Sequence, residues 1–217
     1  MEENNTKSEY DLFWKKQKEA LLTSYINTIF IFLNILAFII TLFLGNYIYV
    51  RGALVYEYVV DYGEYYRIIS SMFIHGGLQH ILGNMLSLVF IGSIVESHIG
   101  HLSYLALYTG SGIAGNIVSL WYEHAFGTSW ISYGASGAVF GIIGAFIIIA
   151  IRGKNTLRKG STLLIRTGLF TVYSVYSSFA DEGVNYAAHI GGLIFGVLFT
   201  TIIIVLSNKK INLEEWI

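Results

Sequence analysis

Ser136 sits between glycines at the head of a strongly apolar stretch, "SYGASGAVFGIIGAF" at 132–146. A hydroxyl without a partner in lipid is a cost and glycine is a poor helix former, so the stretch is either a packing surface or the seat of a working nucleophile. Three further polar residues stand in comparably apolar settings: His80 and Asn84 in "LQHILGN", and His189 in "AAHIGG". A serine hydroxyl becomes a nucleophile when a base takes its proton, and His189 is the candidate base. Backbone N–H groups at a helix N-terminus suit an oxyanion, with Gly134 counted among the stabilising positions and His80 and Asn84 as added side-chain donors. No acidic residue stands where it would orient His189, so the arrangement expected is a dyad rather than a triad.

The elements that must position these groups follow from composition. The chain is 54% hydrophobic and 12% charged, with a mean hydropathy of +0.60, more apolar than a soluble domain of this length. A polytopic, all-α membrane protein is expected. The formal net charge of −1 and the lack of a long basic run exclude a nucleic-acid footprint. Without cysteine, thiolate catalysis, disulfides and Cys-based zinc sites are excluded; without proline, helix breaks fall to glycine and polar turns.

Apolar runs near the length of about 20 residues that a bilayer requires predict six spans, at 25–44, 78–96, 102–121, 136–151, 161–180 and 186–206. They make one membrane domain over 24–207, between an N-terminal tail at 1–23 and a C-terminal tail at 208–217. The tyrosine-rich first loop, about 45–77, is too interrupted to span and reads as an interfacial element. Lys7, Lys15, Lys16 and Lys18 precede the first span, Arg152, Lys154, Arg158 and Lys159 follow the fourth, and Lys209 and Lys210 follow the sixth. The positive-inside rule then places both termini in the cytoplasm, in the plasma membrane, with the site opening to the outer face.

In this topology the second, fourth and sixth spans all run inward from the outer face. His80, Asn84, Ser136 and His189 therefore fall at one depth on three helices. Polar groups inside a membrane usually face the bundle interior or a wet cavity. The fourth span, about 24 Å long at about 1.5 Å per residue, is shorter than the hydrocarbon core, so its N-terminus is sunk and the loop "GTSWISYG" dips in ahead of it. Small-residue stripes at Gly137, Gly141 and Gly144 and at Ala188, Gly192 and Gly196 allow the fourth and sixth helices to touch.

Each signal has a plainer reading. Small-residue stripes commonly serve packing alone, and His80 with Asn84 can be interhelical glue. His75 can join them in a metal site, although no carboxylate lies nearby in sequence, and no metal or other cofactor is expected. Glu96 reads as a structural partner or a solvated helix end, and His98, His101 and His124 as surface residues. A transporter explains intramembrane histidines too, but the chain shows neither an inverted repeat nor an acidic residue at a span midpoint. Metalloprotease H-E-x-x-H and paired intramembrane aspartates are both absent.

On these residues the chain resembles the rhomboid family of intramembrane serine proteases. "GASG" is similar to the family's G-x-S-G motif and implies Ser136 as nucleophile; "AHIGG" followed by Gly196 is similar to A-H-x-x-G-x-x-x-G and implies His189 as base. "HGGLQHILGN" is similar to H-x-x-x-x-H-x-x-x-N, whose second histidine and asparagine, here His80 and Asn84, are credited with oxyanion stabilisation; His75 is left as a supporting residue. Arg67 in "YYR" matches a Trp-Arg pair in the first loop, with Tyr66 departing from it, and Glu96 matches a glutamate at the inner end of the second helix. Phe140 replaces a tyrosine that packs on the histidine in some relatives. The resemblance implies cleavage of transmembrane protein substrates in or near their spans, in contact with membrane lipid, with the fifth helix and the loop after it gating access. It implies no cofactor and leaves the oligomeric state open. A catalytically silent binder of membrane helices is the alternative that keeps the fold.

Overall fold

The computed structural model describes residues 14–15, 18–153, 168–169, 172 and 184–207. The described residues are almost entirely helical; their only β feature is an isolated antiparallel bridge, Leu54 with Ser132. Helix α1 is Tyr25–Leu44. The first loop carries short helices α2, Asn46–Gly52, α3, Tyr56–Val60, and α4, Arg67–Ser70, the last running into a 3₁₀ turn over Ser71–Phe73. Helix α5 is Leu78–Ile99, with a π turn over Leu88–Gly92. Helices α6, His101–Phe126, α7, Ser136–Arg152, and α8, Tyr186–Ser207, complete the order.

By length and apolarity α1, α5 and α8 are able to cross a membrane, and α7 is a shorter apolar helix of 17 residues. The expected fifth span, 161–180, lies outside the described residues apart from 168–169 and 172, as do most of the basic residues used for orientation. Helices α6, α7 and α8 pack most extensively on one another. Their closeness has a steric cause: a Cβ on Gly196 would overlap the Gly141 carbonyl oxygen, and one on Gly192 would overlap that of Gly137. The two small-residue stripes thus bring α7 and α8 into backbone contact, where ordinary side chains would hold them apart.

Helix α1 reverses the soluble pattern. Its buried residues are Asn27, Phe30, Asn34 and Thr41, one stripe at helical spacing, while Phe32, Leu36, Ile40 and Phe43 face outward. Without a hydrophobic drive between helices in lipid, hydrogen bonds serve as glue. Asn27 donates to Leu88 O in the π turn at 2.9 Å and accepts from the Tyr104 hydroxyl at 2.7 Å, and Asn34 donates to the Tyr108 hydroxyl at 3.0 Å.

Glu96, fully buried, accepts from the amides of Ile26 at 3.1 Å and Asn27 at 2.7 Å, and so caps the orphan donors that open α1. It is a structural partner and not a solvated end. His101 meets the same carboxylate at 2.6 Å. His98, expected at the surface, is 7% exposed, because its ring turns back onto Ile94 O at 2.7 Å.

Candidate active site

Ser136 is the first residue of α7. The intrahelical ladder begins with Val139 N donating to Ala135 O at 3.0 Å, so the amides of Ser136, Gly137 and Ala138 lie outside it. These N–H groups open the helix that Ser136 begins, with the positive end of the helix dipole behind them. Ser136 itself is half-buried.

His189 lies on the first turn of α8, 5% exposed, with Nε2 2.8 Å from Ser136 Oγ. That is hydrogen-bonding distance for proton transfer from the hydroxyl to the ring. Its Nδ1 has no hydrogen-bond partner among the described residues, so no carboxylate stands behind it there. The ring is held instead by Phe140, stacked at 4.4 Å between centroids and 3° between planes. Phe140 follows Ser136 by one turn, which puts both residues on the face of α7 that meets α8.

Gly134 has a φ of +128°, a backbone conformation that L side chains rarely adopt, and a Cβ there would stand 2.6 Å from His80 Nε2 and 3.7 Å from Ser136 Oγ. The glycine therefore lets the His80 ring approach on the side of the serine hydroxyl. Its own N–H donates to Ser71 O at 2.9 Å, so the expectation that Gly134 supplies an oxyanion donor is corrected: its contribution is space.

Asn84 is buried one turn beyond His80, and its Nδ2 lies 3.0 Å from His75 Nε2. His75 is completely buried, with Nδ1 3.2 Å from the Phe73 carbonyl. A carbonyl only accepts, so Nδ1 carries the proton and Nε2 is left to accept from Asn84 and, at 3.4 Å, from the Ala135 amide. His75 thus orients the Asn84 amide, and its backbone oxygen is held by the Tyr49 hydroxyl at 2.6 Å.

The first loop braces the loop before α7. Arg67, 2% exposed, donates to Ala53 O at 2.8 Å and to Glu64 at 2.5 Å, under the Tyr58 ring at 4.5 Å. The next residue, Leu54, exchanges both backbone hydrogen bonds with Ser132, at 2.8 and 2.9 Å, four positions before Ser136. Arg67 therefore lies two short steps from the site and does not enter it.

Sequence reasoning passed over Ser119, Glu123, Ser132 and Asn185, which hydrogen-bond together beside this site. Asn185 carried a readable signal, an N-cap residue type directly ahead of an apolar helix. Glu123 carried none beyond being an acidic residue near a span end.

Comparison with known proteins identifies the family. A family model described as Rhomboid domain matches residues 62–206, which contain Ser136, His189, His80, Asn84 and His75. The chain is 31% identical over 145 residues to "Putative rhomboid protease YdcA" of Bacillus subtilis, covering 67% of this chain and 70% of that protein. It is 35% identical over 138 residues to "RHOMBOID-like protein 5" of Arabidopsis thaliana, covering 64% of this chain and 44% of that one. Against "Rhomboid protease GluP" of Bacillus subtilis it is 32% identical over 139 residues, 64% of this chain but 26% of the relative. The match thus spans less than half the length of the latter two relatives.

Proposed function

Because the chain belongs to the rhomboid family, and because Ser136 and His189 meet across α7 and α8, we propose that it is an intramembrane serine endopeptidase working through that pair. The observation that carries the reading is the 2.8 Å contact between His189 Nε2 and Ser136 Oγ. His189 takes the hydroxyl proton as Oγ attacks the scissile carbonyl, and returns it to the leaving amine. Water then hydrolyses the acyl-enzyme by the same route. The developing oxyanion is met by the Ser136 amide at the helix N-terminus, by His80 across Gly134 and by the Asn84 amide that His75 orients. With Nδ1 unpartnered by any carboxylate among the described residues, the imidazolium that forms is steadied by the π-face of Phe140.

The substrates are transmembrane proteins cut in or near their spans, and the enzyme works in contact with lipid. Six spans are inferred, the fifth over 161–180, with the fourth short: 17 residues at about 1.5 Å give about 26 Å against a core of about 30 Å. The basic residues outside the spans put both termini in the cytoplasm and the site toward the outer face of the plasma membrane. The membrane domain is taken as 24–207.

The test is cleavage of a tagged single-span reporter by the purified protein in liposomes, with Ser136→Ala alongside. Two fragments from the parent and none from the variant support the reading. Equal cleavage by both overturns it.

A further inference from the structure

A continuous chain of buried and part-buried hydrogen bonds joins the end of α6, the loop before α7 and the start of α8. Glu123 Oε1 accepts from the Ser119 hydroxyl at 3.2 Å and Oε2 from the Trp130 amide at 3.1 Å. Asn185 Nδ2 donates to Ser119 Oγ at 2.5 Å and to Ser132 Oγ at 3.1 Å, and its Oδ1 accepts from Ala188 N at 3.1 Å. The backbone oxygen of Asn185 accepts from the amide of His189 itself, at 3.4 Å. Asn185 is thereby the N-cap of the helix that carries the base, with both of its oxygens on the first turn.

The direction of this chain is set at one end. An ionised carboxylate only accepts, so the single Ser119 proton goes to Glu123 and the Ser119 oxygen is left to accept from Asn185. That requirement turns the Asn185 amide nitrogen toward Ser119 and Ser132 and its oxygen toward α8. The reverse amide orientation would place NH₂ against the Ala188 N–H. Glu123 is 3% exposed, Ser119 fully buried and Asn185 8% exposed. Among the described residues no Lys, Arg or His forms an ion pair with Glu123. A buried carboxylate without a counter-ion is costly; of its two hydrogen bonds one holds the loop before α7 at Trp130 and the other orients the Ser119 hydroxyl on its own helix, which meets Asn185.

We propose that Glu123 is a positioning residue, whose carboxylate sets the polarity of the Ser119–Asn185 chain and so holds His189 and the Ser132 loop in register with Ser136. This rests on the dyad reading above. Glu123→Gln keeps the volume but only one acceptor: if the amide oxygen stays with Trp130, its NH₂ faces Ser119, the Ser119 proton turns to Asn185, and the cap is lost. Asn185→Asp alone sets two carboxylates on one Ser119 proton. The double variant Glu123→Gln/Asn185→Asp reverses the three side-chain bonds through Ser119 and Ser132, leaves those accepted from the Trp130 and Ala188 amides as they are, and so keeps all of them, with the total charge unchanged.

The experiment is steady-state cleavage of the single-span reporter in liposomes by the parent, both single variants, the double variant and Ser136→Ala, each scaled to folded protein. Expected are a kcat about tenfold lower in each single variant with KM within about twofold, and recovery to within about threefold in the double variant. Recovery from single variants that do not fold supports the proposal equally. A Glu123→Gln enzyme with parental kcat overturns it, as does a double variant that is unfolded or no better than the singles. Ser136→Ala separates the two levels: its cleaving like the parent sinks the dyad, whereas a silent Ser136→Ala beside a fully active Glu123→Gln sinks only the role of Glu123.

Discussion

Replacing Gly192 by alanine drives a wedge into the contact that sets the distance between Ser136 and His189. Gly192 lies three residues after His189 on α8, and the residue it faces, Gly137, directly follows Ser136. The added Cβ would overlap the Gly137 carbonyl oxygen and stand 2.9 Å from its carbon and 3.3 Å from its Cα. Both partners are backbone, so no side chain can swing aside, and ordinary contact distances require the helices to part by roughly 1 Å. A separation of that size carries the 2.8 Å dyad contact out of hydrogen-bond range. General-base assistance contributes about 10²–10⁴-fold, and 1 Å of misplacement alone costs about 10²-fold, so kcat should fall by about 100-fold or more. Overpacking should also lower stability, by about 1–3 kcal/mol. The assay is reporter cleavage in liposomes beside a thermal unfolding curve, which separates slow turnover from unfolded protein. A Gly192→Ala enzyme within about twofold of parental kcat would refute the claim that backbone contact between α7 and α8 sets the dyad.

Further outcomes follow from the same geometry. His189→Ala should abolish turnover as completely as Ser136→Ala, whereas His80→Ala and Asn84→Ala, each removing one oxyanion donor, should lower kcat by about 10²–10³-fold without abolishing it; progress curves distinguish the two. Phe140→Ala removes the ring stacked at 4.4 Å on His189 and should reduce kcat by about tenfold, with Phe140→Tyr close to the parent. In the first loop, Arg67 beside Glu64 holds that carboxyl below the usual carboxylate range. Its folded-state value lies below the unfolded one, so the stabilisation is present above the ordinary carboxylate range and is lost as pH falls through the lowered value. Glu64→Gln should therefore lower Tm slightly at neutral pH, and the gap should close on acidification; a gap that widens contradicts the pairing.

How much of this was legible beforehand depends on the range of each interaction. Ser136 and His189 stand out because glycine stripes repeat at helical spacing on two apolar runs, a pattern that predicts close helix contact without any coordinates. The ends of α1, α5, α7 and α8 fall close to the limits set by apolar length. Gly134 was misjudged because its amide partner, Ser71 O, comes from the far side of the first loop. The pairing of Asn84 with His75 crosses a turn of irregular backbone, and nothing in their spacing shows which nitrogen faces which amide. Glu96 appears from sequence as one charge at a span end, and only packing reveals two amides of α1 aimed at it. Glu123 has the same character: its partners are Ser119, four residues back on its own helix, and the Trp130 amide, seven residues on in the loop before α7, so composition marks it only as acidic. Burial inverted one reading, since His98 folds back on its own helix rather than facing solvent.

The most direct measurement is the mapping of a covalent adduct. The purified protein in liposomes is treated with a fluorophosphonate, digested and read by tandem mass spectrometry, in parallel with His189→Ala. The account predicts one phosphonylated residue, Ser136, in the parent, and no adduct in the variant. An adduct on another serine, or undiminished labelling of Ser136 without His189, would contradict it.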